Sequence, residues 1–176
     1  MITERPRILI AGIGNIFHGD DAFGVELSQR LLRGRQPDGV RVIDFGIRGF
    51  DLTYALLDGA DITIFLDATP RGGEPGTLYT IEINPDIAVF PEGAVEAHGM
   101  NPMRVLQMVK AMGGMPRRIL LVGCEPLTLG TDEEGMMGLS PVVTAAVDRA
   151  VEIVESLVSK LLTELQPHEE IADVKN

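Results

Sequence analysis

A chain of 176 residues with one cysteine cannot close an internal disulfide, and Cys124 has no CxxC neighbour from which a zinc cluster could be built. That usage fits a reducing compartment, and the expected location is cytoplasmic. Basic residues are scarce: 15 Lys and Arg face 26 Asp and Glu, a net charge of −11. The deficit argues against non-specific nucleic-acid binding and against an anionic membrane surface, favours solubility, and leaves open a cationic or metal-bearing partner. Long apolar runs are missing. No stretch approaches the ~18 residues of a membrane span, and the opening "MITERPRILIAG" carries an early acid where a secretory signal would be apolar.

Several motifs are also missing. Gly12 and Gly14 form a GxG after a first apolar run, but Phe17 stands where the third glycine of a dinucleotide fingerprint belongs. Gly19 comes too late. Two carboxylates, Asp20 and Asp21, occupy the helix N-terminus that would otherwise attract phosphate. Asp44 imitates a ribose-binding acid, yet carries little weight without the glycine pattern. The chain has no GK[ST], no HExxH and no GxSxG. Ser28 has no histidine at helical spacing, and Cys124 reads as packing rather than nucleophile.

What is present is alternation. Short apolar runs at 7–13, 40–46, 61–68, 77–83 and 117–125 read as strands. Helical spacing appears at 22–33, with Phe23, Leu27, Leu31 and Leu32 on one side, and at 49–59, 102–113 and from Ser140 to about Leu165. Ser140 is the expected N-cap of the last helix, with Pro141 at its first position. The pattern predicts an α/β three-layer sandwich, a five-stranded, mainly parallel sheet with helices on both faces. The link into 77–83 is too short for a helical crossover, so that strand is the one expected to run antiparallel. Residues 1–166 read as a single domain and 167–176 as a polar tail.

The expected chemistry sits at one sheet edge. Asp20 and Asp21 fit both helix capping and a ligand role, and the stretch alone leaves both open. Asp67 closes the apolar run "DITIFLD", where an unpaired carboxylate is costly. Ligands of open parallel sheets bind beyond the carboxyl ends of the strands, an edge that Asp21 and Asp67 share. His98 lies in a long connection before a helix. Two carboxylates and one imidazole make a donor set suited to a divalent metal or to water activation. Gly12 and Gly14 are expected to turn the backbone at this edge, with Asn15 pinning the turn. His168 belongs to the tail.

The segments "ILIAGIGNIFHGDDAFGV", "FLDA", the histidine of "AHGMNP", and "LLVGCEP" followed by "GLSPVV" resemble the hydrogenase maturation endopeptidases, in order, over residues 7–165. The resemblance implies a twisted five-stranded sheet sandwiched by helices. It implies a protease that removes the C-terminal extension of the nickel–iron hydrogenase large-subunit precursor after nickel insertion. Asp21, Asp67 and His98 match the family's metal-binding residues. The first is often glutamate there, so its reach here is one methylene shorter. His18 replaces a commonly apolar residue and adds a possible fourth local ligand. For such a reaction a carboxylate, Asp21 or Asp67, is expected to act as general base on water. The nickel would belong to the substrate, with no metal tightly held by the free enzyme and cadmium or zinc able to substitute in vitro. Arg48–Phe50 and the "TPRGG" loop are expected near the substrate. Two alternatives stay open: a non-proteolytic nickel-binding assembly chaperone, and a conventional metallohydrolase with its own metal.

Overall fold

The computed structural model describes residues 6–86, 100–131 and 133–167. Strands β1 (Ile8–Ile13), β2 (Val40–Gly46), β3 (Ile62–Ala68), β4 (Leu78–Ile83) and β5 (Arg118–Cys124) alternate with helices α1 (Phe23–Leu32), α2 (Gly49–Asp58), α3 (Pro102–Ala111) and α4 (Pro141–Glu164). A single 3-10 turn, Asp20–Ala22, leads into α1. The sheet order is β2-β1-β3-β5-β4. The first four strands in that order are parallel, and β4 alone runs antiparallel, against β5.

Alternation along the strands feeds two cores. Ile10, Ile64 and Leu66 face α1 and α4, where Phe23, Leu27, Val147 and Val154 meet them. Leu9, Ala11 and Phe65 face α2 and α3, against Leu52, Val105 and Val109. The most apolar strand, β3, is the middle one of the five, with β1 on one edge, β5 on the other and a helical layer on each face. Every parallel strand therefore ends at the same rim, and the loops after β1, β2, β3 and β5 form one surface. No helix among the described residues is long and apolar enough to cross a membrane.

Some expectations change. Leu32 is 46% exposed while Leu31 beside it is in the core, because Leu32 stands about 100° round α1 from the Phe23–Leu27–Leu31 stripe. Neither Asp20 nor Asp21 caps a helix: the N-cap positions fall on Gly19 and Ala22, without a side-chain cap bond. Ser140 does occupy the N-cap of α4, ahead of Pro141, but its hydroxyl makes no cap bond. Gly12 is not a turn residue. It lies inside β1, where a Cβ would stand 2.3 Å from Ser28 Oγ and 2.7 Å from the Gly24 carbonyl. Its role is to let α1 press onto β1. The tail expected at 167–176 lies, beyond Pro167, outside the described residues.

Candidate active site

Gly14 begins the site. Its φ of +147 turns the chain away from β1, and a Cβ there would lie 1.9 Å from the Asp21 carbonyl oxygen. The backbone of the Asp20–Ala22 turn thus folds directly over Gly14. The Asn15 side-chain oxygen accepts from Phe17 N–H at 2.9 Å, which closes the turn. The Asn15 N–H donates to Asp21 Oδ2 at 2.9 Å. Burial raises the Asp21 pKa, while that N–H and the nearby His18 work in the opposite direction.

Asp67 projects from the end of β3. Poor hydration pushes its pKa well above the usual carboxylate range, and the Asp21 charge pushes it further, against one N–H from Ala68. The two expected carboxylates are therefore electrostatic neighbours at the carboxyl rim, although 46 positions separate 21 from 67. An O,O pair of like charge with raised pKa values is a chemical fit for a divalent cation, which would relieve both the repulsion and the desolvation. Among the described residues, no three His, Cys, Asp or Glu side chains gather into a metal-sized group. His98 falls in 87–99, outside the described residues. His18 is buried and lies beside Asp21.

Asp20 does something the sequence did not disclose. It is 0% exposed and accepts four hydrogen bonds. Its Oδ2 takes Leu127 N–H at 2.9 Å, Thr128 N–H at 3.1 Å and the Ser140 hydroxyl at 2.8 Å. Its Oδ1 takes Ser140 N–H at 2.7 Å. Bonds from Gly19 N–H to Met136 O and from Gly130 N–H to His18 O add to this clasp. So one aspartate of the pair ties the loop before α4 to the site, and its neighbour faces the cleft. Ser140→Ala is expected to lower stability by about 1–2 kcal/mol, seen as a lower thermal midpoint. Activity should stay near wild type, since Asp20 keeps its three backbone donors. An unchanged midpoint would show that the hydroxyl contributes nothing.

A second buried acid, Glu125, follows β5. Arg71 N–H and Gly72 N–H donate to it at 2.9 Å and 3.1 Å, and the Tyr79 hydroxyl at 2.8 Å. Burial opposes its ionisation, but these donors together hold its pKa below the usual value. Glu125 thereby anchors the 69–76 loop that leaves Asp67, and Arg71 stacks over the Tyr79 ring at 5.5 Å. The signal was available: Glu125 closes an apolar strand, as Asp67 does. Cys124 is buried, and desolvation pushes its thiol up to about 11. It is a protonated packing residue at neutral pH.

The family model described as hydrogenase maturation protease matches residues 25–157. The chain is 32% identical to a hydrogenase expression/formation protein HupD of Rhodobacter capsulatus over 149 residues, 84% of this chain and 69% of that protein. It is 30% identical to the hydrogenase 2 maturation protease of Escherichia coli over 168 residues, 95% and 99% of the two chains. Among solved structures, the hydrogenase maturating endopeptidase HybD from E. coli superposes with a TM-score of 0.73 at 29% identity, covering 88% of this chain and 93% of that one.

Proposed function

Since the chain belongs to the hydrogenase maturation protease family, we propose that it removes the C-terminal extension of a nickel–iron hydrogenase large-subunit precursor, in the cytoplasm, once nickel is in place. The observation that carries this reading is the juxtaposition of Asp21 and Asp67 at the carboxyl rim of the sheet. Two poorly hydrated carboxylates side by side are costly until a cation or a proton joins them. The nickel held by the precursor supplies that cation, so the metal arrives with the substrate and the free protein needs none of its own.

In this reading Asp21 and Asp67, with His98 as the third donor, recognise the nickel and so fix the precursor's position. One of the two carboxylates takes the proton of a water that attacks the scissile carbonyl, and returns it to the departing amine as the C–N bond breaks. A precursor without nickel leaves the two negative charges facing each other and offers nothing to hold the chain in register. His18, beside Asp21, favours the ionised form of that first carboxylate.

Incubation of the purified protein with nickel-loaded and nickel-free precursor tests this directly. Mass spectrometry should show loss of a C-terminal peptide from the loaded form only. Cleavage of both forms would remove nickel recognition. Binding without cleavage would favour the assembly chaperone, and a stoichiometric metal in the isolated protein would favour the conventional metallohydrolase. His98→Ala should abolish processing while changing stability by less than ~0.5 kcal/mol, the usual limit for a residue in a connection such as the sequence places it in. A large stability loss instead would assign His98 a structural role.

A further inference from the structure

An apolar groove of about 390 Å³ opens on the same rim, between the turns at 14–17 and 44–48. Val25 and Phe45, both buried, line its inner part, and Ile16, Phe17 and Ile47 line the outer part at 41%, 53% and 59% exposure. Large apolar side chains gathered around a concavity on a surface mark a binding site far more often than scattered ones do. The groove's size falls within the ~300–1,000 Å³ typical of ligand sites.

The polar groups around this groove are already engaged. Asp44 Oδ2 accepts from Gln29 Nε2 at 2.8 Å and its Oδ1 from Gly46 N–H at 2.9 Å. The Arg48 guanidinium donates to the Asp44 and Phe45 carbonyls and pairs with Asp51 at 3.2 Å. The Asn15 side-chain oxygen is held by Phe17 N–H. The inner wall formed by Val25 and Phe45 is hydrocarbon, so a charged group seated against it would lose hydration that these side chains do not replace.

The groove and the carboxylates share a residue. Asn15 lines the groove, and its N–H holds Asp21 Oδ2 at 2.9 Å. We propose that the groove is the subsite for a large apolar side chain of the precursor polypeptide, one or two residues from the bond that is cut. The proposal rests on the protease reading above. An extended chain advances ~3.3 Å per residue with alternating side chains, so a peptide laid past Asp21 presents a neighbouring side chain to the groove that Asn15 borders. Phe50 and Tyr54, four apart on α2 and so on one side of it, are exposed as well.

The test is Ile47→Asp, at an exposed position where a charge need not disturb the core. Met115→Asp is the control, 84% exposed in the α3–β5 connection. With nickel-loaded precursor, Ile47→Asp should raise KM about tenfold or more, the range over which apolar pockets discriminate. Its kcat and thermal midpoint should stay near wild type, and Met115→Asp should leave both constants unchanged. Precursors with each apolar residue flanking the cut replaced by Asp should reveal one sensitive position. Ile47→Lys should recover cleavage of that altered precursor. Equal KM for Ile47→Asp and wild type, or no sensitive position, overturns the subsite while the protease reading stands. If the wild type binds precursor without cutting, the protease reading fails. The groove is then judged by calorimetry: a Kd at least tenfold weaker for Ile47→Asp supports it, and an unchanged Kd overturns it. Neither binding nor cleavage by the wild type overturns both.

Discussion

Gly14→Val is expected to cut processing ~100-fold or more and to lower the thermal midpoint by roughly 10 °C, the effect of about 4 kcal/mol in a domain of this size. Two costs combine. At φ +147 a β-branched residue is strained whatever its surroundings. Its Cβ would also stand 1.9 Å from the Asp21 carbonyl, a backbone atom that cannot rotate aside. The turn carrying Asp21 must therefore move by an ångström or so, and that displacement pulls Oδ2 from the Asn15 N–H. Misplacement on this scale costs ~100-fold in rate when catalysis depends on position. Gly12→Ala should be milder. The Ser28 hydroxyl at 2.3 Å can swing away, while the Ser28 Cβ at 2.6 Å and the Gly24 carbonyl at 2.7 Å ask α1 to shift by less than the 1.9 Å contact at Gly14 demands. Circular dichroism melting, nickel or cadmium titration and the processing assay should all report the Gly14 change together. Survival of metal binding with loss of cleavage would transfer Gly14 from site geometry to substrate docking.

Asp67→Asn should have opposite effects on activity and stability. The amide keeps the shape and removes the charge, so processing should fall by ~10²–10⁴-fold if Asp67 holds nickel or moves a proton. Stability should rise at neutral pH. Poor hydration, and then the Asp21 charge, raise the folded-state pKa well above the ordinary aspartate value of 3.8. Between 3.8 and that raised value the folded protein binds more protons than the unfolded chain. Stability is therefore fully supported below the unfolded pKa and falls as pH rises through the window. At neutral pH the ionised Asp67 is a net cost, which the asparagine removes. Melting curves for both proteins should converge at low pH and separate in favour of the variant as pH rises. A divalent cation should raise the midpoint of the wild type more than that of the variant. A variant that cleaves at the wild-type rate would take Asp67 out of the mechanism. A variant less stable at neutral pH would show that the charge is paid for by contacts other than those described.

The fold was legible because its signals are local. Apolar runs such as "RILIAGI" and "DITIFLD" have few ways to be buried, and helices between them force parallel strands. The short link into β4 left an antiparallel direction as the simple solution. Asp67 stood out because an acid at the end of the most apolar strand breaks the pattern around it. Other features depend on partners distant in sequence. Asp20 meets Leu127, Thr128 and Ser140, more than a hundred positions away. No propensity near Asp20 separates a buried clasp from a helix cap, and an aspartate beside an aspartate reads the same in either role. The Ser140 hydroxyl had a local use as a cap and was taken instead by that carboxylate. Gly12 looked like a turn glycine until α1 was laid against it, and the Glu125–Tyr79 pair needed β4 and β5 side by side. Short-range sterics and burial determine strands, helices and their order from neighbouring residues. Which buried oxygen receives which distant N–H, and where loops leave a groove, is decided only when the layers close and every polar group left inside must find a partner.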